Sequence, residues 1–194
     1  MNFRTLLLLP VLLTLTPSQA SASTEEAVTR LKAAVNEVVA VARQAPNAST
    51  LAKNVRPILL KIISFETMTR RAVGPGWREF TPDQQKEAAR LFTTLIIRTY
   101  TAKFTPGEFP DILFKAALSP APGRVEVPTT ILYHGSHYEV IYRQDEADSW
   151  RITDVIIEGV SMIANYRTQF DAQFKEGGAT AVIKALNQSV NSPK

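Results

Sequence analysis

The residues of this chain that could do chemistry concentrate between His134 and Ser161. His134 and His137 flank Gly135-Ser136, a spacing that suits a hairpin turn, and two imidazoles there would need further oxygen or nitrogen ligands to hold a metal. No HExxH pattern or ligand cluster supplies them, so no metal site is expected. Ser161 stands in "EGVSM", which is not the GxSxG elbow that exposes a nucleophile. It precedes the helical periodicity of Met162, Ile163, Tyr166, Phe170 and Phe174 and fits an N-cap better. With no GxGxxG and no GxxxxGK[ST], there is no basis for a nucleotide site or another cofactor. The pair that resists dismissal is Asp154 and Glu158. In an ideal strand both point to the face of Trp150, Ile152 and Ile156, opposite Arg151, Thr153, Val155 and Ile157. One such acid in a cavity could act as a general base, with Tyr138 or Tyr142 as an oxyanion donor. Structural use of both acids is the stronger reading, because Glu158 closes a strand beside a glycine. There it can pair with Arg167 or accept backbone donors at a helix start. No catalytic residue is assigned.

The elements that must position these residues change character near the middle of the chain. Val28, Leu31, Val35, Val38, Val39 and Ala42 recur at helical spacing, with Ser23 and Glu26 as a capping box. A second helix is expected at about 50–63, with Leu51, Val55, Leu59 and Ile62 on one face and Pro57 kinking it or delaying its start. A short helix from Phe65 to Ala72 ends at "GPG", residues 74–76. The strongest helix signal covers 82–104: Thr81 caps, Pro82 takes the first position and Gln84 completes a capping box. Its stripe of Ala88, Leu91, Phe92, Leu95, Ile96, Tyr100 and Phe104 is wide enough to lie on a sheet, on other helices or along a cavity.

After "TPGEFP" the period becomes extended. "ILFKAALS", "RVEVPTTILYHG", "SHYEVIYRQ" and "SWRITDVIIE" are strand candidates, and their short connections favour antiparallel hairpins. Pro128 argues for an edge strand or a bulge. Two closing helices, 161–175 and 178–190, are divided by Gly177-Gly178. The expected fold class is α+β, a curved antiparallel sheet covered on one face by helices.

Composition narrows the setting. Arg4, the apolar "TLLLLPVLLTL" and "ASA" at 20–22 form the pattern of a cleaved secretory signal peptide over residues 1–22. Its apolar run is too short for a spanning helix, which needs about 20 residues. Residues 23–194 then form a single domain. The absence of cysteine excludes disulfides, thiolate metal sites and a lipid-modified cysteine anchor. The net charge is +4 and the pI about 9.4. The basic residues are dispersed, and "TRR" at 69–71 is too short for a nucleic-acid footprint, so no nucleic-acid partner is expected.

Three stretches carry a resemblance. One is "W-R-x-x-D-V-x-x-E-G-V-S-M-I-x-N-Y-R-x-Q-F" from Trp150 to Phe170. The second is "F-E-x-M-x-R-x-x-V-G-x-x-W-R-x-x-T-P-D-Q" from Phe65 to Gln84, continuing through Phe92 to Tyr100. The third is "G-G-A-T-A-V-I-K-A-L" from Gly177 to Leu186. In this order they resemble the MlaC (toluene-tolerance) family of periplasmic phospholipid-binding proteins, auxiliary components of an ABC transporter, over roughly residues 25–190. The chain departs from the family pattern at Ser64, at "GPGW" and across 105–123.

The resemblance implies one α+β domain that holds phospholipid tails between helices and sheet, with no cofactor beyond the lipid cargo. It implies a monomeric shuttle in the periplasm, moving lipid between an outer-membrane lipoprotein–porin complex and an inner-membrane complex of MCE rings and an ABC transporter. The role implied is upkeep of outer-membrane lipid asymmetry. The residues expected to meet lipid are Phe92, Leu95, Ile96, Tyr100, Phe104, Tyr133, Tyr142, Ile152, Ile156, Val160, Met162 and Tyr166. Asp154, Glu158, Ser161 and Arg167 are expected to fix the sheet-to-helix corner. Periodicity establishes an apolar interior but not a hollow one. Two alternatives therefore stay open: a periplasmic chaperone or interaction module with a solid core, and a small cavity enzyme of ketosteroid-isomerase type using Asp154.

Overall fold

The computed structural model describes residues 19–105 and 107–192. The expected signal peptide falls largely outside them. Helix α1 (Gln19–Arg43) starts upstream of Ser23, which in the full chain lies inside the helix; Glu26 faces Arg30 one turn on. Helix α2 (Ala48–Ile62) is capped by Asn47, whose side chain accepts from the Thr50 N–H, and it continues through Pro57. Helix α3 (Phe65–Val73) runs into a 3-10 turn, Gly74–Glu79. Helix α4 (Pro82–Thr101) carries the full Thr81–Gln84 capping box and stops three residues short of the expected 104. The chain closes with α5 (Met162–Asn191), in which Gly177 and Gly178 are non-helical and divide two helical segments.

The sheet is antiparallel and six-stranded, in the order β1-β3-β4-β5-β6 with β2 beside β3. Its strands are β1 (Asp111–Phe114), β2 (Leu118–Ala121), β3 (Arg124–Tyr133), β4 (Ser136–Asp145), β5 (Arg151–Ile157) and β6 (Val160–Ser161). The single strand expected at 112–119 is thus two short strands on one flank of β3. Pro128 explains the break. Its carbonyl accepts from Lys115 N at 2.9 Å, so the edge that lacks an N–H faces the gap between β1 and β2, not β4. Pro128 therefore sits inside the sheet, at a position where no ladder donor is needed.

Helices cover one face of this sheet. The α2–α3 junction is tied to it where Ser64 N donates to the Ile152 carbonyl at 2.9 Å. Two buried clusters result. The larger lies among α2, α3, α4 and α5 and includes Phe92, Met68, Leu91 and Leu186. The smaller joins Ala27 and Leu31 of α1 to Val125, Val127, Trp150 and Ile152 of the sheet.

Candidate functional site

Between the two layers lies an apolar cavity of about 530 Å³, within the range of roughly 300–1,000 Å³ typical of ligand pockets. The helical wall is made by residues at three- and four-residue spacing, among them Leu31, Val35 and Val38 of α1, Val55, Leu59 and Ile62 of α2, and Ile96, Ile97 and Tyr100 of α4. Strand alternation supplies the other wall: Ile131 and Tyr133 of β3, Val140 and Tyr142 of β4, and Val155 and Ile157 of β5. Cross-strand partners share a face, as in Val140↔Ile157 and Tyr142↔Val155. The cluster around Trp150 and Val127 adjoins the cavity, sharing Leu31, Ile62 and Ile152 with its lining. Lys103, the one charged lining residue among those described, and Tyr138 are both exposed and mark the open end.

A cavity of this size has an energetic meaning. At about 24 cal/mol per Å³, 530 Å³ left closed and empty would cost on the order of 13 kcal/mol. That is comparable to the entire stability of a domain, about 5–15 kcal/mol. Such a space is held open to be filled.

Of the residues expected to meet lipid, Ile96, Tyr100, Phe104, Tyr133, Tyr142, Ile152 and Met162 line this cavity. The other five do not. Phe92 is fully buried among the helices, edge-on to Tyr166 at 4.9 Å and to Phe170 at 5.7 Å between centroids. Leu95 packs in that same helical cluster, as does Tyr166. The wide stripe of α4 serves two partners, α5 along one side and the cavity along the other. Val160, 60% exposed, belongs to the short edge strand β6. Ile156 is turned away by a bulge: Arg143 pairs with Asp154 and Gln144 with Ile152, leaving Thr153 as an extra residue. The face that carries Ile152 therefore continues through Val155 and Ile157 rather than Asp154 and Ile156. Sequence reasoning missed Val155, Ile157, Ile97 and the α1 and α2 walls. The last two carry the Leu31/Val35/Val38 and Val55/Leu59/Ile62 stripes, whose periodicity marks an apolar face without showing that it meets a hollow.

The same bulge settles the chemistry of Asp154. It lies on the face away from the cavity and is buried. Its Oδ2 accepts from Ser161 Oγ at 2.7 Å and Arg143 Nη1 at 3.4 Å, and its Oδ1 from Ile163 N at 3.2 Å. Ser161 in turn accepts from Ala164 N at 3.0 Å, capping α5. Thus Asp154, not Glu158, satisfies the helix start. Glu158 and Gly159 both have positive φ, 50° and 77°, and form the two-residue turn between β5 and β6, a geometry that only glycine adopts without strain. The Glu158 carboxylate accepts from Glu139 N on β4. Arg167 is not its partner; it lies against the backbone of Gly74.

No acid lines the cavity among the described residues, so a general base on the ketosteroid-isomerase pattern has no carboxylate there. Burial pushes the Tyr142 phenol up to about 12, so it stays protonated. His134 Nε2 lies 2.6 Å from the Glu108 carboxylate, and His137 is exposed. No group of acids and histidines among the described residues could hold a metal ion. What the arrangement can do is enclose an apolar chain.

No curated protein matches this chain. Among solved structures it is similar to the phospholipid-binding protein from Ralstonia solanacearum, determined in complex with a phospholipid. The two share 25% identity over 85% of this chain and 97% of the other, with a TM-score of 0.79. Residues 26–188 match the family described as MlaC protein. With that match running from α1 into α5 and the fold shared over nearly the whole of the solved relative, the chain belongs to the MlaC family.

Proposed function

We propose that this protein is a periplasmic phospholipid carrier that encloses acyl tails between its helices and its sheet. Residues 1–22 are removed as a signal peptide, and residues 23–194 act as a single monomeric domain. It shuttles lipid between an outer-membrane lipoprotein–porin complex and an inner-membrane MCE and ABC-transporter complex, supporting outer-membrane lipid asymmetry. The observation that carries this reading is the apolar cavity, in a chain whose solved relative was determined with a phospholipid. A filled core, as in an interaction module, would have left no such space. MlaC-type proteins are not enzymes.

The energetics favour enclosure. Two tails carry about 30 methylenes, an upper bound on the order of 25 kcal/mol of transfer at roughly 0.8 kcal/mol each. A shallow groove recovers little of that, so a soluble carrier must surround most of the tail length. The lipid loses comparable contacts on leaving a membrane, and net transfer stays near balance. The exposed Lys103 and Tyr138 at the open end support a reading in which the polar headgroup stays beside solvent. Organic extraction of purified protein followed by mass spectrometry tests the proposal: co-purifying phospholipid is expected. Repeated absence of lipid, with failure to accept labelled phospholipid from vesicles, would overturn it.

A further inference from the structure

A second concavity lies on the far side of α3 and of the first turn of α5. Met162 faces the lipid cavity while its neighbour Ile163 lines this other pocket, and the two spaces have no lining residue in common. Its remaining lining is Arg70, Arg71 and Arg78 around Gly74, Pro75 and Trp77, with Arg167 arriving from α5. Arg70, Arg71 and Arg78 are close neighbours in the sequence, and the fold adds Arg167 to them from α5.

Arg70, Arg78 and Arg167 are exposed, but three features set them apart from charges spread singly over a surface. First, Arg71 is engaged by Asp145, whereas Arg70, Arg78 and Arg167 make no ion pair among the described residues and no acid lines the pocket. Like charges gathered without a counter-charge repel one another, and an anion would relieve that repulsion. Second, the arginines surround a concavity walled by the buried indole of Trp77 and by Ile163 rather than lying on a flat face. Third, Gly74, at φ 71°, has the Arg167 guanidinium against it: a Cβ there would fall 2.5 Å from Nη2. Gly74, the helix stop in "GPG", thus also clears the place that Arg167 occupies, while Gly76 makes room for the Phe174 ring.

We infer that this pocket is an anion site for a phosphate group, separate from the cavity for apolar chains. Guanidinium forks match phosphate oxygens in paired hydrogen bonds, and three uncompensated positive charges suit a compact dianion better than a single carboxylate. The phosphate could belong to the headgroup of a membrane lipid or to a small free anion. The inference does not rest on the carrier reading.

The test is titration of the protein with inorganic phosphate at constant ionic strength, followed by NMR of the arginine side-chain Nε–H groups. Flotation with vesicles containing phosphatidylglycerol runs in parallel. Saturable phosphate binding is expected, weakened tenfold or more by Arg78→Gln and by Arg167→Gln. Arg90→Gln, which removes an exposed arginine paired with Glu87 on α4, is expected to leave it unchanged. The same ranking in flotation without binding of free phosphate would assign the site to a lipid headgroup. Three outcomes would overturn the inference: no saturable response in either arm, an equal response to chloride, or equal losses in Arg90→Gln. Binding of an acidic peptide alone would overturn it in favour of a protein partner.

Discussion

Substituting Val155 and Ile156, adjacent on β5, should separate binding from folding. Val155 lines the cavity and Ile156 does not; Ile156 is 8% exposed on the opposite face. Val155→Asp puts a carboxylate against the acyl chains. Displacing about three methylenes at roughly 0.8 kcal/mol each removes about 2.4 kcal/mol. Shutting the carboxylate away from water beneath a bound lipid adds several kcal/mol. A combined loss of at least about 4 kcal/mol weakens lipid binding about a thousandfold. The lipid-free cavity is open at one end, so the carboxylate stays hydrated there, and the stability cost is about 1–2 kcal/mol. Ile156→Ala behaves oppositely: a buried aliphatic truncation costs about 2–5 kcal/mol, roughly 4–20 °C in Tm for a domain of this size, with lipid stoichiometry retained. The assay is lipid per protein by extraction and mass spectrometry, paired with thermal unfolding of the same preparations. A folded Val155→Asp with wild-type lipid content, or an Ile156→Ala that loses lipid while keeping its Tm, would refute the bulge-shifted face.

Three further outcomes follow from the same geometry. Asp154→Ala strips Ser161 Oγ and Ile163 N of their acceptor and should cost about 2–3 kcal/mol of stability by chemical denaturation, with the folded fraction still carrying lipid. Burial works against the Asp145 charge, but the hydrogen bonds and charges of Arg71 and Arg124 outweigh it and hold its pKa below the usual aspartate value. A depressed carboxylate stabilises the fold above its unfolded pKa and loses that contribution as pH falls through the folded one. Unfolding followed below about pH 4 should therefore show an acid-side decline that Asp145→Asn reduces. Tyr133→Phe removes the acceptor of Thr105 N at 2.8 Å beside the open end of the cavity and should speed exchange of a fluorescent phospholipid several-fold without changing equilibrium occupancy. An unchanged exchange rate would mean that this hydrogen bond does not restrain the entrance.

The layout of helices followed by an antiparallel sheet was legible because each element carries its own period and its own stops. The Thr81–Gln84 box, the Gly177-Gly178 break and the turn chemistry of the hairpins are local, and local rules read them. The site was legible only in part. Ile96, Tyr100 and Met162 belonged to visible stripes, but a stripe does not say which of its flanks meets a hollow and which meets another helix, and Phe92 and Tyr166 fell on the helical side. The single extra residue at Thr153 reversed the facing of everything after it on β5, exchanging Ile156 for Val155 and Ile157. It also moved the buried acid of the corner out of the cavity. That bulge is set by pairing with β4, a long-range contact that alternation within β5 does not encode. The arginine pocket was legible only in part: "TRR" at 69–71 stands out as basic, but that Arg167 of α5 joins Arg70, Arg71 and Arg78 is a long-range fact.

The central claim is that acyl chains occupy the space between helices and sheet. Its most direct test is photo-crosslinking with a phospholipid that carries a diazirine near the end of one tail, followed by peptide mapping. The predicted result is labelling of cavity residues from both layers, such as Leu59 and Ile97 on the helices and Val140 and Val155 on the sheet. Labelling confined to the outer face of the sheet, around Leu113 and Leu118, which are exposed, or none above that of unfolded protein, would contradict it.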